Sequence, residues 1–225
     1  MDCPIDKIIS IATDVLTAIG TIAVAILAIW GDRIKSWLSP AILKIEPVEN
    51  TGIHGSHLRL NTPSNILVPG LNRDAMWYVL KVVNKKPWMS SKNCRVMLVA
   101  ISKKGPDGIY RPEPFKVPRQ FWWAPSEFMA PLATINKEQV FDFGFIQANG
   151  MFSPTLYSTP SDFPGHVRKN ESVRYSLEID ANNFTSPIQQ VFEISWDGEW
   201  DPNPDIMSRH LVIKELSRNP EINEV

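Results

Sequence analysis

Cysteine is nearly absent from this chain: Cys3 and Cys94 are the only two in 225 residues. That excludes a disulfide scaffold and a thiolate metal cage. Catalytic signatures are missing as well. There is no C-x-x-C, no H-E-x-x-H, no G-x-S-x-G elbow and no G-x-x-x-x-G-K-[ST] phosphate loop, so the common motif-bearing hydrolases and nucleotide-binding folds drop out. Neither sign of charge dominates. Lys and Arg number 23 against 24 Asp and Glu, a formal net charge of -1, which argues against bulk attraction to nucleic acid. Glycine is scarce, 11 residues against 19 prolines, and no long helical apolar stripe follows residue 40. What the chain does have is 44% hydrophobic and 10% aromatic residues, a globular composition that excludes disorder.

The hydrophobic residues are unevenly spread. From Ile8 to Trp30 the only charge is Asp14, and about twenty apolar residues rising 1.5 Å each span the ~30 Å hydrocarbon core of a bilayer. A cleaved signal peptide fits poorly, because the flank carries Asp2 and Asp6 against Lys7 and the run ends in Ile29-Trp30 rather than a small-x-small site. The sequence therefore predicts a transmembrane anchor over residues 1–30 and a juxtamembrane helix over 31–40, stopped by Pro40. Arg33, Lys35 and Lys44 after the span outnumber Lys7 before it. The positive-inside rule then places the anchor in the cell inner membrane with the C-terminal domain cytoplasmic. Trp30 and Trp37 suit the headgroup level. Asp14, Thr17, Thr21, Ala25 and Ala28 follow i+3/i+4 spacing, one stripe of small or polar side chains that predicts a homo-oligomer through the anchor.

After residue 40 the pattern turns to short β runs: Ile42–Glu46, His57–Leu60, Trp77–Val83, Arg95–Ile101, Gln139–Ile146, Val173–Asp180, Gln190–Trp196 and His210–Leu216. Turn clusters separate them at Asn84–Pro87, Lys104–Gly108, Asn149-Gly150 and Asn182-Asn183. The fold class expected is mainly β, an immunoglobulin-like β-sandwich over 41–216 preceded by one N-terminal transmembrane helix, with a tail over 217–225; a small barrel is the alternative.

Residues Tyr78–Asn84, a short turn and Lys92–Leu98 form a strand-turn-strand pattern. It resembles that of bacterial immunoglobulin-like modules, and the layout is similar to uncharacterised bacterial single-pass membrane proteins with a cytosolic β-sandwich. The resemblance covers about twenty-five residues and the general layout. It transfers no functional residue. Cys94 stands alone in the domain, where an antibody-type domain pairs two cysteines around a buried Trp.

Three stretches carry candidate chemistry. The Pro-rich stretch Gly105–Pro131 gathers Arg119, Phe121, Trp122 and Trp123, residue types enriched at interface hot spots; the same rings can instead close an open sandwich edge. Trp196 and Trp200 flank an acidic loop whose oxygens recur at 197, 199, 201, 203 and 205. This resembles the front half of a calcium loop, but Pro202 and Ser208 replace its Gly and Glu. His54-x-x-His57 offers two ligands where zinc needs three or four, and its flanking glycines predict a mobile loop. Two sequons, at Asn170 and Asn183, matter only in a glycosylating lumen.

No catalytic residue, metal or cofactor is assigned, and no nucleic-acid partner. The expected function is a membrane-anchored non-enzymatic binding or sensory module with an unknown protein partner at Arg119, Phe121, Trp122, Trp123, Trp196 and Trp200. The alternative is a membrane-disrupting effector, similar in layout to antiviral anchor-plus-sensor proteins, whose sandwich senses a ligand and whose helices form a bundle.

Overall fold

The computed structural model describes residues 4–38, 41–48, 52–57, 60–61, 66–67, 73–124, 131–148, 150–182, 184–185 and 189–216. Pro40, Asn149, Asn183 and the tail 217–225 lie outside the described residues. The chain divides into two units, Met1–Pro40 and Ala41–Val225.

The first unit is one helix, α1 (Pro4–Leu38). Its segment Thr13–Gly31 has mean hydropathy 1.9 and is long and apolar enough to cross a membrane, with none of it buried in the chain. Leu16, Ile19, Ile22, Val24 and Ile29 are exposed around it. The Thr17 hydroxyl donates to the Thr13 carbonyl at 2.8 Å and that of Thr21 to the Thr17 carbonyl at 2.9 Å, so these polar groups are satisfied within the helix.

The second unit is mainly β and all pairings are antiparallel. Its strands, in chain order, are β1 (Leu43–Pro47), β2 (Ile53–His57), β3 (Leu60–Asn61), β4 (Ile66–Leu67), β5 (Arg73–Asn84), β6 (Ser91–Lys104), β7 (Tyr110–Pro112) and β8 (Arg119–Gln120). There follow β9 (Trp122–Trp123), β10 (Ala133–Ile135), β11 (Glu138–Gln147), β12 (Ser153–Pro154), β13 (Glu171–Ala181), β14 (Phe184–Thr185), β15 (Gln190–Trp196), a short helix α2 (Pro204–His210) and β16 (Leu211–Leu216). One sheet runs β1-β5-β11-β12, with β2 beside β5 and β9 beside β11. The other runs β10-β6-β13-β15-β16, with β7 and β8 beside β6 and β14 beside β13. β3 and β4 pair with each other.

The sequence explains why the two sheets face each other. Alternation puts Met76, Tyr78, Leu80 and Val82 of β5 on one inner face and Val173, Tyr175, Leu177 and Ile179 of β13 on the other. In β6 the period breaks: Ser176 pairs with Ala100 and Leu177 with Leu98, so Val99 is an extra residue. That bulge shifts the buried set from Cys94, Val96 and Leu98 to Ile101. Between the sheets Phe143 meets Phe121, Phe152, Tyr175 and Phe192, with ring centroids 5.7, 5.9, 5.8 and 5.9 Å away. Fully burying each ring is worth about 1.5–3 kcal/mol. Gly144 lets β12 pass this cluster, because a Cβ there would lie 2.4 Å from a Phe152 ring carbon and 2.7 Å from the Ser153 carbonyl.

Where the flanking glycines predict a mobile loop, the structure has β2 at Ile53–His57, paired with β5; residues 58 and 59 of the strand expected over His57–Leu60 lie outside the described residues. The Pro-rich stretch, read as a long loop, supplies three edge strands, β7, β8 and β9. Ser176, on the face of β13 opposite Tyr175 and Leu177, is buried across from the bulge in β6.

Candidate functional site

The Phe-Trp-Trp segment turns two of its three rings inward. Strand parity decides this: Arg119, Phe121 and Trp123 share one face, Gln120 and Trp122 the other. Phe121 is 1% and Trp123 5% exposed, and both rings pack on Phe141 at 5.5 and 6.1 Å. Trp122 is half-buried, stacked on Tyr157 at 4.3 Å, with its indole N–H donating to the Leu156 carbonyl at 3.2 Å. Arg119 is half-buried, and its Nε has no hydrogen-bond partner among the described residues. Phe121 and Trp123, expected at a partner contact, pack on Phe141 and close the sandwich.

Trp196 is buried as well, and its indole N–H donates to the Glu199 carbonyl at 3.0 Å; half-buried Trp200 packs on the core. Among the described residues no ring pair joins these tryptophans to the Phe121–Trp123 group. The alternating oxygens of the loop have internal uses. Asp197 Oδ1 accepts from the Glu199 N–H at 2.9 Å, Asp201 Oδ1 from Asn203 at 2.7 Å, and Asn203 Oδ1 caps α2 by accepting from Asp205 at 3.0 Å. These are Asx turns and an N-cap. Among the described residues no group of three or more His, Cys, Asp or Glu is placed to hold a metal. His54 lies on β2 and faces Asp74 at 3.9 Å. The Cys94 thiol is fully buried, burial pushes its pKa up, and it donates to the Ser91 carbonyl at 3.2 Å.

The structure gathers a different set. A cleft of about 620 Å³ opens beside the Trp196–Trp200 loop, lined by Lys104, Asn170, Ser172, Ser195, Arg209 and His210 among others. These residues come from the end of β6, the start of β13, the end of β15 and the end of α2, which antiparallel pairing brings to one edge. Ser172 Oγ lies 2.6 Å from Ser195 Oγ and 2.7 Å from the Tyr110 hydroxyl, a chain of three hydroxyls. Arg174 covers the Tyr110 ring at 3.5 Å while bonding Glu193 at 3.0 Å. His210 Nδ1 sits 2.8 Å from Asp197 Oδ2. That carboxylate, with Glu199 and Asp201 nearby, raises the imidazole pKa above its ordinary value. Burial opposes the Asp197 carboxylate, but the Glu199 N–H and His210 outweigh it and hold its pKa low.

The acids of the cleft are thus engaged: Asp197 by His210, and Glu171 by Lys103 at 3.1 Å and the Arg168 N–H at 2.9 Å. Lys104 and Arg209 have no acidic partner among the described residues. An Asp–His pair beside serines is the raw material of nucleophilic catalysis, but among the described residues no serine hydroxyl is hydrogen-bonded to His210. What the cleft offers is hydroxyls, an imidazole whose pKa is raised and two cations without acidic partners among the described residues, a surface suited to a polar ligand. Sequence reasoning missed it because its residues lie far apart in the chain. The one local signal was the Trp196–Trp200 loop on its border.

No known protein family, curated protein or solved structure matches this chain.

Proposed function

We propose that this chain is a membrane-anchored, non-enzymatic binding or sensory module: a single-pass helix in the inner membrane, oligomeric through that helix, carrying a cytosolic immunoglobulin-like sandwich whose cleft recognises its ligand or partner. One observation carries the reading. Thr13–Gly31 has mean hydropathy 1.9 and buries nothing within the chain, so its apolar side chains need an environment other than water. A bilayer supplies it along the whole segment. Asp14 shares a stripe with Thr17, Thr21, Ala25 and Ala28 and has no partner among the described residues; a carboxylate in a span finds one on a second helix.

Two features support the immunoglobulin-like assignment. The order β1-β5-β11 with β9 at the edge, facing β6-β13-β15, reproduces the ABED and CFG sheets of that fold. Tyr175, near the start of the strand in the F position, donates its hydroxyl to the carbonyl of Gly165 upstream, the arrangement of a tyrosine corner. The departure is the missing inter-sheet disulfide, since Cys94 is free.

Protease shaving of spheroplasts carrying a C-terminal tag tests the reading. The tag survives until the membrane is permeabilised, and the chain resists carbonate extraction. A tag removed from outside reverses the orientation, and a chain released by carbonate removes the anchor. The exposed Asp14 stripe also favours the effector reading, in which induced expression depolarises cells and Asp14→Ala abolishes that effect; silent accumulation refutes it.

A further inference from the structure

We infer that the end of the sandwich through which the chain joins the domain docks on the headgroups of an anionic bilayer, with Trp88 seated among them. The inference rests on the anchor reading above. It begins with the connection Asn84-Lys85-Lys86-Pro87-Trp88-Met89-Ser90 between β5 and β6. This turn is pinned from within. Asn84 is buried; its side-chain amide donates to the Met89 carbonyl at 2.6 Å and accepts from the Lys86 N–H at 2.9 Å, and the Met89 N–H bonds the Lys86 carbonyl at 2.9 Å. A pinned turn holds out a tryptophan that is 71% exposed. The core does not need that ring, and no described side chain covers it.

Backbone bonds assemble the surface around it. The Lys85 N–H donates to Ile42 at 2.8 Å, the Asn84 N–H to Lys137 at 2.8 Å, and the Asn182 N–H to Lys92 at 3.1 Å. Ile42, 47% exposed, together with Lys92 and Lys137, therefore rings the turn. Three acids near this end are paired, Glu46 with Lys85 at 2.7 Å, Glu138 with Lys81 at 3.0 Å and Asp180 with Arg95 at 2.5 Å, and Glu178, farther along β13, accepts from the Gln189 side chain at 2.8 Å. Lys92 and Lys137 have no acidic partner among the described residues. Local charge is therefore positive around an exposed indole. That is the combination suited to the headgroup level, where the ring is half wet and anionic lipid meets lysine.

Covalent reach puts the surface within range of lipid. Helix α1 continues seven residues past Gly31 to Leu38, about 10 Å of rise, and the headgroup layer takes roughly 5–8 Å of it. Ala41 follows three residues later, a span of at most about 10 Å. Chain length alone therefore keeps the start of the domain within reach of the headgroups, where surface potential is felt.

The test uses the full chain in vesicles of phosphatidylcholine, with or without phosphatidylglycerol. Pro87→Cys in a Cys3→Ser background carries an environment-sensitive fluorophore beside Trp88. Flotation with carbonate resistance first establishes insertion. The expected result is a blue-shifted label, quenched by headgroup-proximal doxyl lipid, only with anionic lipid, and reversed by high salt. Lys92→Gln and Lys137→Gln each lower the docked-to-free ratio about fivefold. A chain that inserts while its label stays in water with both lipids overturns the docking and leaves the anchor standing. A label shielded equally in neutral vesicles, salt-insensitive and dependent on protein concentration, overturns it in favour of a contact between copies. A chain that fails to insert overturns the anchor, and the docking with it.

Discussion

Two buried tyrosines, replaced separately by phenylalanine, will move stability in opposite directions. Tyr175 is fully buried and its hydroxyl donates to the Gly165 carbonyl; burial keeps the phenol neutral by pushing its pKa well above the ordinary value. Tyr78 is 4% exposed, edge-on to Phe152 at 6.0 Å, and its hydroxyl has no hydrogen-bond partner among the described residues. Phenylalanine keeps either ring in place and removes one oxygen. At Tyr175 that breaks a hydrogen bond and strands a buried carbonyl, a loss of about 1–3 kcal/mol. At Tyr78 it removes a desolvated hydroxyl that gained nothing on folding, a gain of about 1–2 kcal/mol. At roughly 2–4 °C per kcal/mol for a domain of this size, the midpoints separate by about 4–20 °C. Near-UV circular dichroism of the full chain in detergent micelles measures it. If both variants lose stability equally, or Tyr78→Phe is the more harmful, the hydroxyl accounting fails, and with it the corner that ties β13 to the segment before it.

Two histidines give opposite pH signatures. The His210 pKa is raised above 6.5 by Asp197, so its stabilisation is complete below that value and fades as pH rises through the folded-state pKa. Burial lowers the His166 pKa below 6.5. The folded domain keeps this ring neutral while the unfolded chain protonates it, and stability is lost as pH falls below about 6.5. Melting temperatures between pH 5 and 8 check this: His210→Gln flattens the alkaline limb and His166→Gln the acid limb, and an unchanged slope refutes either assignment. Phe121→Ala costs about 3–5 kcal/mol of folding stability, against about 1 kcal/mol for the half-buried, stacked Trp122→Ala. A larger loss at Trp122 would return Phe121 to the surface.

How much of this the sequence could disclose depended on the range of the signal. The long apolar helix was legible because composition alone defines it: a single charge between Ile8 and Trp30 needs no knowledge of any partner. The strand over Val173–Asp180 was legible for the same local reason, with Val173, Tyr175, Leu177 and Ile179 all on its buried face; that Ser176 on the other face is buried as well was not. The Arg119–Trp123 segment shows a harder limit. Composition reads it as an interface, yet its parity, with Arg119, Phe121 and Trp123 on one side, already spelled an edge strand. The acidic loop misleads differently. Oxygens at alternate positions serve a cation, and they equally serve successive Asx turns, each accepting the N–H two residues on. The cleft was not legible, because Lys104, Ser172, Ser195 and His210 meet only once antiparallel pairing has set the register.

The same register separates the two ends of the domain. β5 runs toward the end where Ala41 enters and finishes at Asn84; β6 returns from Ser91 and finishes at Lys104, in the cleft. β6 and its partner β13 therefore bridge the two regions, with Lys104 and Glu171 at one end and Lys92 and Ala181 at the other. Fourteen residues of strand are about 45 Å long. The side chains between them, Val96, Leu98, Ile101, Val173, Tyr175 and Leu177, are buried in one close-packed core. A core at that density does not deform continuously. If the cleft binds a ligand and the opposite end meets lipid, as proposed, coupling between them has one inexpensive route: the domain tilts as a rigid body, exchanging headgroup contacts of Trp88 and Lys92 without rearranging its interior.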